Sequence, residues 1–333
     1  MHSTRKLLQR TLVIGAGMLC CASVLAQPNA DSQGPVNWKL PTLGGTQFWT
    51  DIEVTSGWRI QVNSETGHAR LLDANNVRHA WGRAAHCRAR LNQAKAEGVV
   101  RPAKGKVVIL LHGLIRTSGS MQPMQEFLEK QGYATINFRY ASTRATVAEH
   151  AKSLKSVVDR LEPEVHEIYF VAHSLGNLVI RRYLADSTDE TTGRQGDSRI
   201  KRVVMLGPPN QGSKMARMLK SSLMFNTIAG KSGQQLASGW KKLNPTLATP
   251  SVDFGIIAGG QENEYLSNFV LKGKDDFTVS LEETKLPGAA DLMVKPLLHS
   301  TMMRQPEVMQ ATVKFFRHGY FDTAETRSPI PRR

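Results

Sequence analysis

The stretch Glu167-Ile-Tyr-Phe-Val-Ala-His-Ser-Leu-Gly176 decides the fold of this chain. Its first six residues predict a strand, and a helical pattern follows over residues 176–185. Ser174 therefore stands at a sharp turn between strand and helix, with the small residues Ala172 and Gly176 two positions away on either side. This is the pattern of a nucleophile elbow, in which a strained turn exposes a serine hydroxyl above a sheet. The alternative interpretation is a serine that caps the N-terminus of a helix.

Strands and helices alternate on both sides of this turn. Residues 106–112 are a continuous apolar run, as expected of a strand that is buried on both faces. The other segments predict strands at 133–138, 200–206, 252–258 and 292–298, and helices at 121–131, 147–161 and 306–319. This alternation predicts a mostly parallel sheet with helices on both faces.

The loop after the first core strand begins with His112 and Gly113. In this topology that loop supplies one backbone N–H of an oxyanion hole, and the residue after the nucleophile supplies the other. The predicted donors are the main-chain amides of Leu114 and Leu175. We expect His112 itself to brace the loop rather than to react.

A catalytic base and acid should follow the serine, in the order serine, acid, histidine. His299 follows the last predicted strand and is the predicted base, because the remaining histidines precede Ser174, adjoin it or fall in the final helix. Asp276, in Asp276-Phe-Thr-Val279, is the predicted acid that orients the imidazole. Asp275 and Asp291 stay open as alternatives.

Five segments resemble those of α/β-hydrolases, and within that fold those of secreted bacterial lipases and carboxylesterases. They are Leu111-His-Gly-Leu114, Ala172-His-Ser-Leu-Gly176, Leu206-Gly-Pro-Pro-Asn-Gln-Gly-Ser213, Asp276-Phe-Thr-Val279 and His299-Ser300. The resemblance covers residues 104–318, and it departs at Ala172 and Phe277, where glycine is common. It implies hydrolysis of lipid-like acyl esters by Ser174, Asp276 and His299, without a metal or organic cofactor.

The first 26 residues predict a secretory signal peptide. Arg5, Lys6 and Arg10 precede an apolar run that ends in the small residue Ala26, and 16 residues are few for a membrane span. Cleavage would leave Cys87 as the single cysteine, which excludes an intramolecular disulfide. We expect a periplasmic or secreted protein; an uncleaved anchor and a lipoprotein are the alternatives.

The 333 residues carry a formal net charge of +15, and +12 remains without the predicted signal peptide. Residues 78–106 hold eight Lys or Arg against the single acid Glu97. The interpretations are a solvated helix face, or adhesion to an anionic membrane or envelope polysaccharide. Nucleic acid is disfavoured, because Trp81 is the single Phe, Tyr or Trp within this charged stretch and the chain has a predicted export signal.

The predicted organisation is a signal peptide (1–26), an N-terminal extension with strands and a basic helix (27–100), a catalytic domain (101–320) and a basic C-terminal tail (321–333). Residues 78–97 predict a helix that ends at Gly98. The Met-rich segment 210–250 is either an ordinary crossover helix or a cap over a substrate cleft. A thioesterase or amidase with the same triad, and a non-catalytic protein that binds anionic surfaces, stay open as alternative functions.

Overall fold

Residues 47–218, 223–259 and 279–332 are described by the computed structural model, and their strands form two sheets. The first, antiparallel sheet contains β1 (Trp49–Thr55), β2 (Trp58–Asn63), β3 (Ala69–Leu72) and β4 (Arg78–Gly82). The second contains β5 (Gly105–Leu111), β6 (Ala134–Phe138), β7 (Val165–His173), β8 (Ile200–Leu206), β9 (Asp253–Gly259) and β10 (Asp291–Lys295).

The second sheet is parallel throughout and has the order β10-β9-β8-β7-β5-β6. Residues 107–111 of β5 are fully buried, and successive side chains of this strand belong to two separate apolar clusters. That arrangement explains why the strand is a continuous apolar run rather than an alternating one. The parallel sheet with an elbow serine after its central strand β7 is the α/β-hydrolase fold, which confirms the predicted architecture.

The helices are α1 (Ala84–Ala96), α2 (Gln122–Lys130), α3 (Val147–Val158), α4 (Leu175–Asp186), α5 (Lys214–Met218), α6 (Leu223–Ala237), α7 (Trp240–Leu243), α8 (Leu281–Thr284) and α9 (Pro306–His318). Helix α1 packs on the antiparallel sheet, and other helices cover both faces of the parallel sheet. Helices α3 and α4 pack in one apolar cluster, and α2 and α9 pack in the other. Gly319, with φ of 82°, ends α9 in the left-handed conformation that favours glycine.

The first sheet corrects one prediction. Residues 78–82 are not helical; they form β4, which pairs with β3, and the helix α1 begins only at Ala84. The strand contains Trp81 between Ala80 and Gly82, and the partner β3 offers an open edge for its backbone groups. Tertiary pairing therefore decides the structure of a segment whose charged neighbours favour a helix.

The two sheets are joined at the edge of β6. The Asp51 amide on β1 donates to the Arg139 carbonyl at 2.8 Å, and the Arg139 amide donates to the Asp51 carboxylate at 2.8 Å. The Ala141 amide donates to the Thr50 hydroxyl at 3.1 Å. The antiparallel sheet thus lies beside the edge strand of the parallel one.

The segment between β8 and β9 is helical in its described parts. Gly230 interrupts α6 with φ of 57°, and the Lys231 amide donates to the Thr143 carbonyl at 2.9 Å. Glycine is required there because a Cβ at position 230 would lie 1.9 Å from the Thr143 oxygen. The second half of α6 therefore contacts the loop after β6, at the carboxyl edge of the sheet; its role as a cap stays a prediction.

The predicted C-terminal tail runs along β10, and most of its residues are exposed. The Asp291 carboxylate accepts hydrogen bonds from the amides of Phe321 and Ser328, both at 2.8 Å. The Leu292 amide donates to the Ser328 carbonyl at 3.0 Å, and Phe321 is buried. The tail thus covers the outer edge of the sheet.

The predicted signal peptide, residues 1–26, lies outside the described residues. Within the described residues, every helix is too short or too polar to span a bilayer.

Candidate active site

Ser174 lies between β7 and α4 in a strained backbone conformation. Its φ is 51° and its ψ is −119°, in a region that side-chain-bearing residues rarely adopt. It occupies the N-cap position of α4, but its side chain makes no capping hydrogen bond. The helix-cap interpretation therefore fails, and the backbone has the geometry of a nucleophile elbow.

The close packing beneath the turn explains the small residue after it. A Cβ on Gly176 would lie 2.8 Å from the Leu111 Cβ and 2.9 Å from the Leu111 carbonyl oxygen. Ala172, on the other side of the turn, is fully buried and pairs with Leu111 and Met205 of the flanking strands. Helix α4 can begin this close to β5 because position 176 has no side chain.

The loop after β5 lies against the serine. A Cβ on Gly113 would be 3.3 Å from the Ser174 Cβ, so the loop and the elbow are in direct contact. Ile115 has φ of 60°, and its amide donates to the Ser142 hydroxyl at 3.1 Å. His112 is buried and stacks on Tyr140 with a centroid separation of 4.2 Å.

The main-chain amides of Leu114 and Leu175 are available on the two sides of this contact. Leu175 is the first residue of α4, so its N–H has no acceptor within the helix. No hydrogen bond from the Leu114 amide to another described residue is formed. The positive end of the α4 dipole points towards the same place.

His299 is brought to the same edge of the sheet. Its side chain follows β10 and packs over Gly207, where an added Cβ would lie 2.7 Å from the ring Nδ1 atom. The preceding residue, Leu206, accepts a hydrogen bond from the Ser174 amide at 2.9 Å. The end of β8 therefore contacts both the Ser174 main chain and the His299 ring.

Two residues of this arrangement were missed by sequence reasoning. His173 is buried, and its Nε2 atom lies 2.9 Å from the His299 carbonyl oxygen, so Nε2 carries the hydrogen and donates it. Gly207, with φ of 52°, packs directly against the His299 ring. The position of His173 next to the serine was its only sequence signal, and Gly207 lay inside the lipase-like segment 206–213 without an assigned role.

Burial keeps the histidines of the site neutral. Burial and then the positive charge of Arg116 lower the pKa of His299 to about 4. Burial, then the neighbouring His299, holds the pKa of His173 well below its usual value. A neutral imidazole at position 299 has a free lone pair near neutral pH, so it can accept a proton.

The predicted acid Asp276 and its alternative Asp275 lie outside the described residues. Asp291 is described, and it does not reach the site. It is the first residue of β10, so it lies at the amino-terminal ends of the parallel strands, whereas the elbow lies at their carboxyl ends. Its carboxylate accepts hydrogen bonds from main-chain amides of the C-terminal tail.

No metal site emerges from residues 47–218, 223–259 and 279–332, where no three His, Cys, Asp or Glu side chains come together in a way that could hold an ion. Cys87 is buried, and its pKa is raised to about 11 by desolvation. That thiol therefore stays protonated and has no part in the site.

Comparison with known protein families gives one match. Residues 74–243, just over half of the chain, match the model of a family described as a domain of unknown function, DUF7379. No curated protein matches the sequence.

Solved structures with a similar fold include several hydrolases. The mature form of Bacillus licheniformis lipase BlEst2 is 16% identical, with 65% of this chain and 93% of that chain covered and a TM-score of 0.45. The metagenomic carboxyl esterase MGS0156 is 18% identical, with 65% and 77% covered and a TM-score of 0.49. The hydrolase olei00960 from Oleispira antarctica is 12% identical, with 65% of this chain and 93% of that chain covered and a TM-score of 0.45. At these identities and TM-scores the likeness carries no argument about the reaction.

Proposed function

The chain belongs to the DUF7379 family, whose function is not known, so the reaction has to follow from the site, and we propose that the protein is a serine hydrolase of carboxylic esters. The single observation that carries the proposal is the conformation of Ser174, with φ of 51° directly between β7 and α4. A strained, uncapped serine at the carboxyl edge of a parallel sheet has no structural purpose in the turn. It does have a chemical one, because the strain projects the hydroxyl towards a bound substrate.

In the first step the Ser174 hydroxyl attacks the ester carbonyl carbon while His299 accepts its proton. Because burial lowers the pKa of His299 to about 4, the ring is neutral when substrate arrives. Efficient proton transfer then requires a nearby carboxylate that raises this pKa towards the working pH. The oxyanion that forms is stabilised by the amides of Leu114 and Leu175. The protonated His299 then gives its proton to the departing alcohol, which leaves an acyl-enzyme on Ser174.

In the second step water attacks the acyl carbon, and His299 again takes and returns a proton. The imidazolium formed in each step needs a compensating negative charge, because both burial and Arg116 disfavour it. We assign that charge to Asp276, the predicted acid of the segment Asp276-Phe-Thr-Val279, which comes after β9 in the sequence. Asp275 is the alternative.

The arrangement of serine, histidine and main-chain amides is suited to several acyl-transfer substrates. Esters, thioesters and amides are attacked by the same groups, so a thioesterase or amidase has the same geometry. Esters are favoured over amides because an alcohol is an easier leaving group than an amine. The lipase-like segments 111–114 and 206–213 support an oxygen ester with a lipid-like acyl chain. A profile of activity against acyl chain length, below and above substrate micellisation, separates esterase from lipase.

The direct experiment is hydrolysis of p-nitrophenyl esters by purified protein and by Ser174→Ala. We expect a loss of at least about a thousandfold in kcat with an unchanged circular dichroism spectrum. Ser187→Ala is the matched control, because Ser187 lies at the other end of α4, and it should keep full activity. Equal activity of wild type and Ser174→Ala would refute the proposal.

We further propose that the protein is exported, on the basis of the predicted signal peptide. Adhesion to an anionic envelope through residues 78–106 has less support, since part of that charge is neutralised within the fold. Lys95 pairs with Glu162 at 3.1 Å, Arg88 with Glu53 at 3.0 Å, and Lys106 with Glu167 at 3.2 Å.

A further inference from the structure

A cavity of about 590 Å³ lies where the antiparallel sheet meets β6. Arg59 of β2, Arg70 of β3 and Arg139, which follows β6, line one wall. Thr117, Ser118 and residues of α2 line the other. Ser174, His299, Leu114 and Leu175 do not line it.

The arginines are poorly compensated. The Arg59 Nη1 atom donates to the Asp51 carboxylate at 2.7 Å, and Gln61 and the Arg139 amide occupy the remaining acceptor positions of Asp51, both at 2.8 Å. Arg70 donates to the neutral Gln61 side chain at 2.8 and 3.0 Å, and its guanidinium stacks over the Trp49 ring. Three cations thus share one carboxylate, which leaves two positive charges in a largely buried wall.

Burial, and then repulsion among these cations, lowers the pKa of two of the arginines. Burial and then the charge of Arg139 lower the pKa of Arg70 to about 10, and burial and then Arg59 lower that of Arg139 to about 10. Arg70 and Arg139 therefore remain charged at neutral pH. Arg78, outside the cavity wall, adds a further repulsive charge on Arg70.

Donor groups on this wall are also left over. The Arg59 side chain is only 7% exposed, yet its Nε atom has no hydrogen-bond partner among the described residues. The buried Arg139 Nε atom also has no hydrogen-bond partner among the described residues. Buried N–H groups of a guanidinium are costly to leave unpaired, so a wall with two of them is suited to an acceptor that enters the cavity.

The opposite rim is acidic and limits how the ligand can lie. Glu126 and Glu129 line the cavity, are exposed, and accept hydrogen bonds from Gln122 and Gln125 at 2.8 and 2.9 Å. Solvent screens these two carboxylates, whereas the arginine wall is shielded from water. An anionic group must therefore sit against the arginines, with an uncharged part of the ligand towards the rim.

We propose that this cavity is a binding site for a phosphate monoester. A dianionic phosphate matches the two uncompensated charges, and its several oxygens can accept from the Nε and Nη atoms of a planar guanidinium together. A carboxylate would neutralise only one of the charges. Asn137, whose buried Oδ1 atom lacks a partner among the described residues, lines the same cavity and can accept from a ligand hydroxyl.

The test is calorimetric titration of the full chain with inorganic phosphate and with sn-glycerol 3-phosphate at pH 7.5. We expect saturable one-to-one binding, with at least about tenfold weaker affinity in Arg139→Gln, since a charge-assisted hydrogen bond is lost. Lys130→Gln is the matched control; Lys130 is an exposed cation at the end of α2 that does not line the cavity, and its loss should leave the affinity unchanged. Absence of binding in wild type, or equal binding by Arg139→Gln, overturns the proposal.

Two further variants keep the test decisive if Arg139→Gln fails to fold. Glu126→Gln removes a rim carboxylate and should tighten phosphate binding about two- to threefold, because one repulsive charge disappears; an unchanged affinity counts against the site. Ser174→Ala should bind phosphate like wild type, and loss of binding there would place the anion in the serine site instead. Co-sedimentation with phosphatidic acid vesicles identifies the source of the group: competition by glycerol 3-phosphate indicates a lipid headgroup, and binding of the soluble ester alone indicates a free metabolite.

Discussion

The Nε2 atom of His173 donates a hydrogen bond to the main-chain oxygen of His299 over 2.9 Å, and the two rings lie 4.6 Å apart. His173, which precedes Ser174, thus fixes the main chain of His299, the proposed base. Because His299 lies in a loop after β10, this contact ties a loop residue to the rigid turn that carries the nucleophile. The distance between nucleophile and base is set partly by His173.

The first prediction concerns this contact. His173→Ala should lower kcat for ester hydrolysis about 10- to 100-fold with little change in KM, because a base displaced by a fraction of an ångström still permits substrate binding. His173→Gln retains an N–H donor and should recover part of the loss. If both variants lower activity equally, and only in proportion to lost folded protein, His173 serves stability alone.

Gly207 permits a second prediction with a close control. Gly207→Ala places a Cβ 2.7 Å from the His299 Nδ1 atom at a φ of 52°, and we expect an activity loss of about 100-fold. Gly193→Ala has a similar φ of 67° but nothing within 4 Å of its Cβ. Both should lose about 1–2 kcal/mol of unfolding free energy from backbone strain, measured by denaturant titration. Only the variant at position 207 should lose activity, and a matching loss at 193 would contradict this explanation.

The backbone strain at Ser174 predicts that a residue without a Cβ at this position raises the free energy of unfolding. Ser174→Gly and Ser174→Ala should both be inactive, but the glycine variant should be about 1 kcal/mol more stable than the alanine variant. Glycine adopts a φ of 51° without a clash, whereas alanine retains the Cβ. Chemical denaturation of the two variants measures the difference, and a less stable glycine variant would mean that the turn is not strained.

Buried histidines predict the pH dependence of stability. Burial lowers the pKa of His112 to about 4 and that of His150 to about 3. In the unfolded chain both titrate near 6.5, so between pH 6.5 and about 4 the unfolded state binds more protons and stability falls as the pH falls. Each histidine should remove about 2 kcal/mol of unfolding free energy between pH 6.5 and 4.5. His150→Leu should flatten this slope, and an unchanged slope would show that His150 is not the titrating group.

Local pattern was enough to predict much of the fold. The strand predicted at 106–112 is rich in apolar residues because both of its faces are covered. The five consecutive residues Ala172-His-Ser-Leu-Gly176 were enough to predict the elbow at Ser174. The strand at 78–82 was missed because only its pairing with β3 stabilises it. Charge spacing along one segment carries no information about a partner strand.

The parts that sequence did not reveal depend on contacts between distant residues. The hydrogen bond from His173 joins positions 126 apart. Arg59, Arg70 and Arg139 meet only because the first sheet lies beside β6. These three arginines are spread over about 80 positions and form no recognisable sequence motif. Their shared cavity therefore becomes visible only in the three-dimensional structure.

The most direct test of the central claim is covalent labelling with a fluorophosphonate, read by intact-mass and peptide mass spectrometry. An activated serine should take up one equivalent of the probe, with the adduct on the peptide that contains Ser174, and Ser174→Ala should take up none. Labelling should be slowed by a competing ester substrate. An unlabelled wild-type protein that is folded, or a label on another serine, would contradict the assignment of Ser174 as the nucleophile.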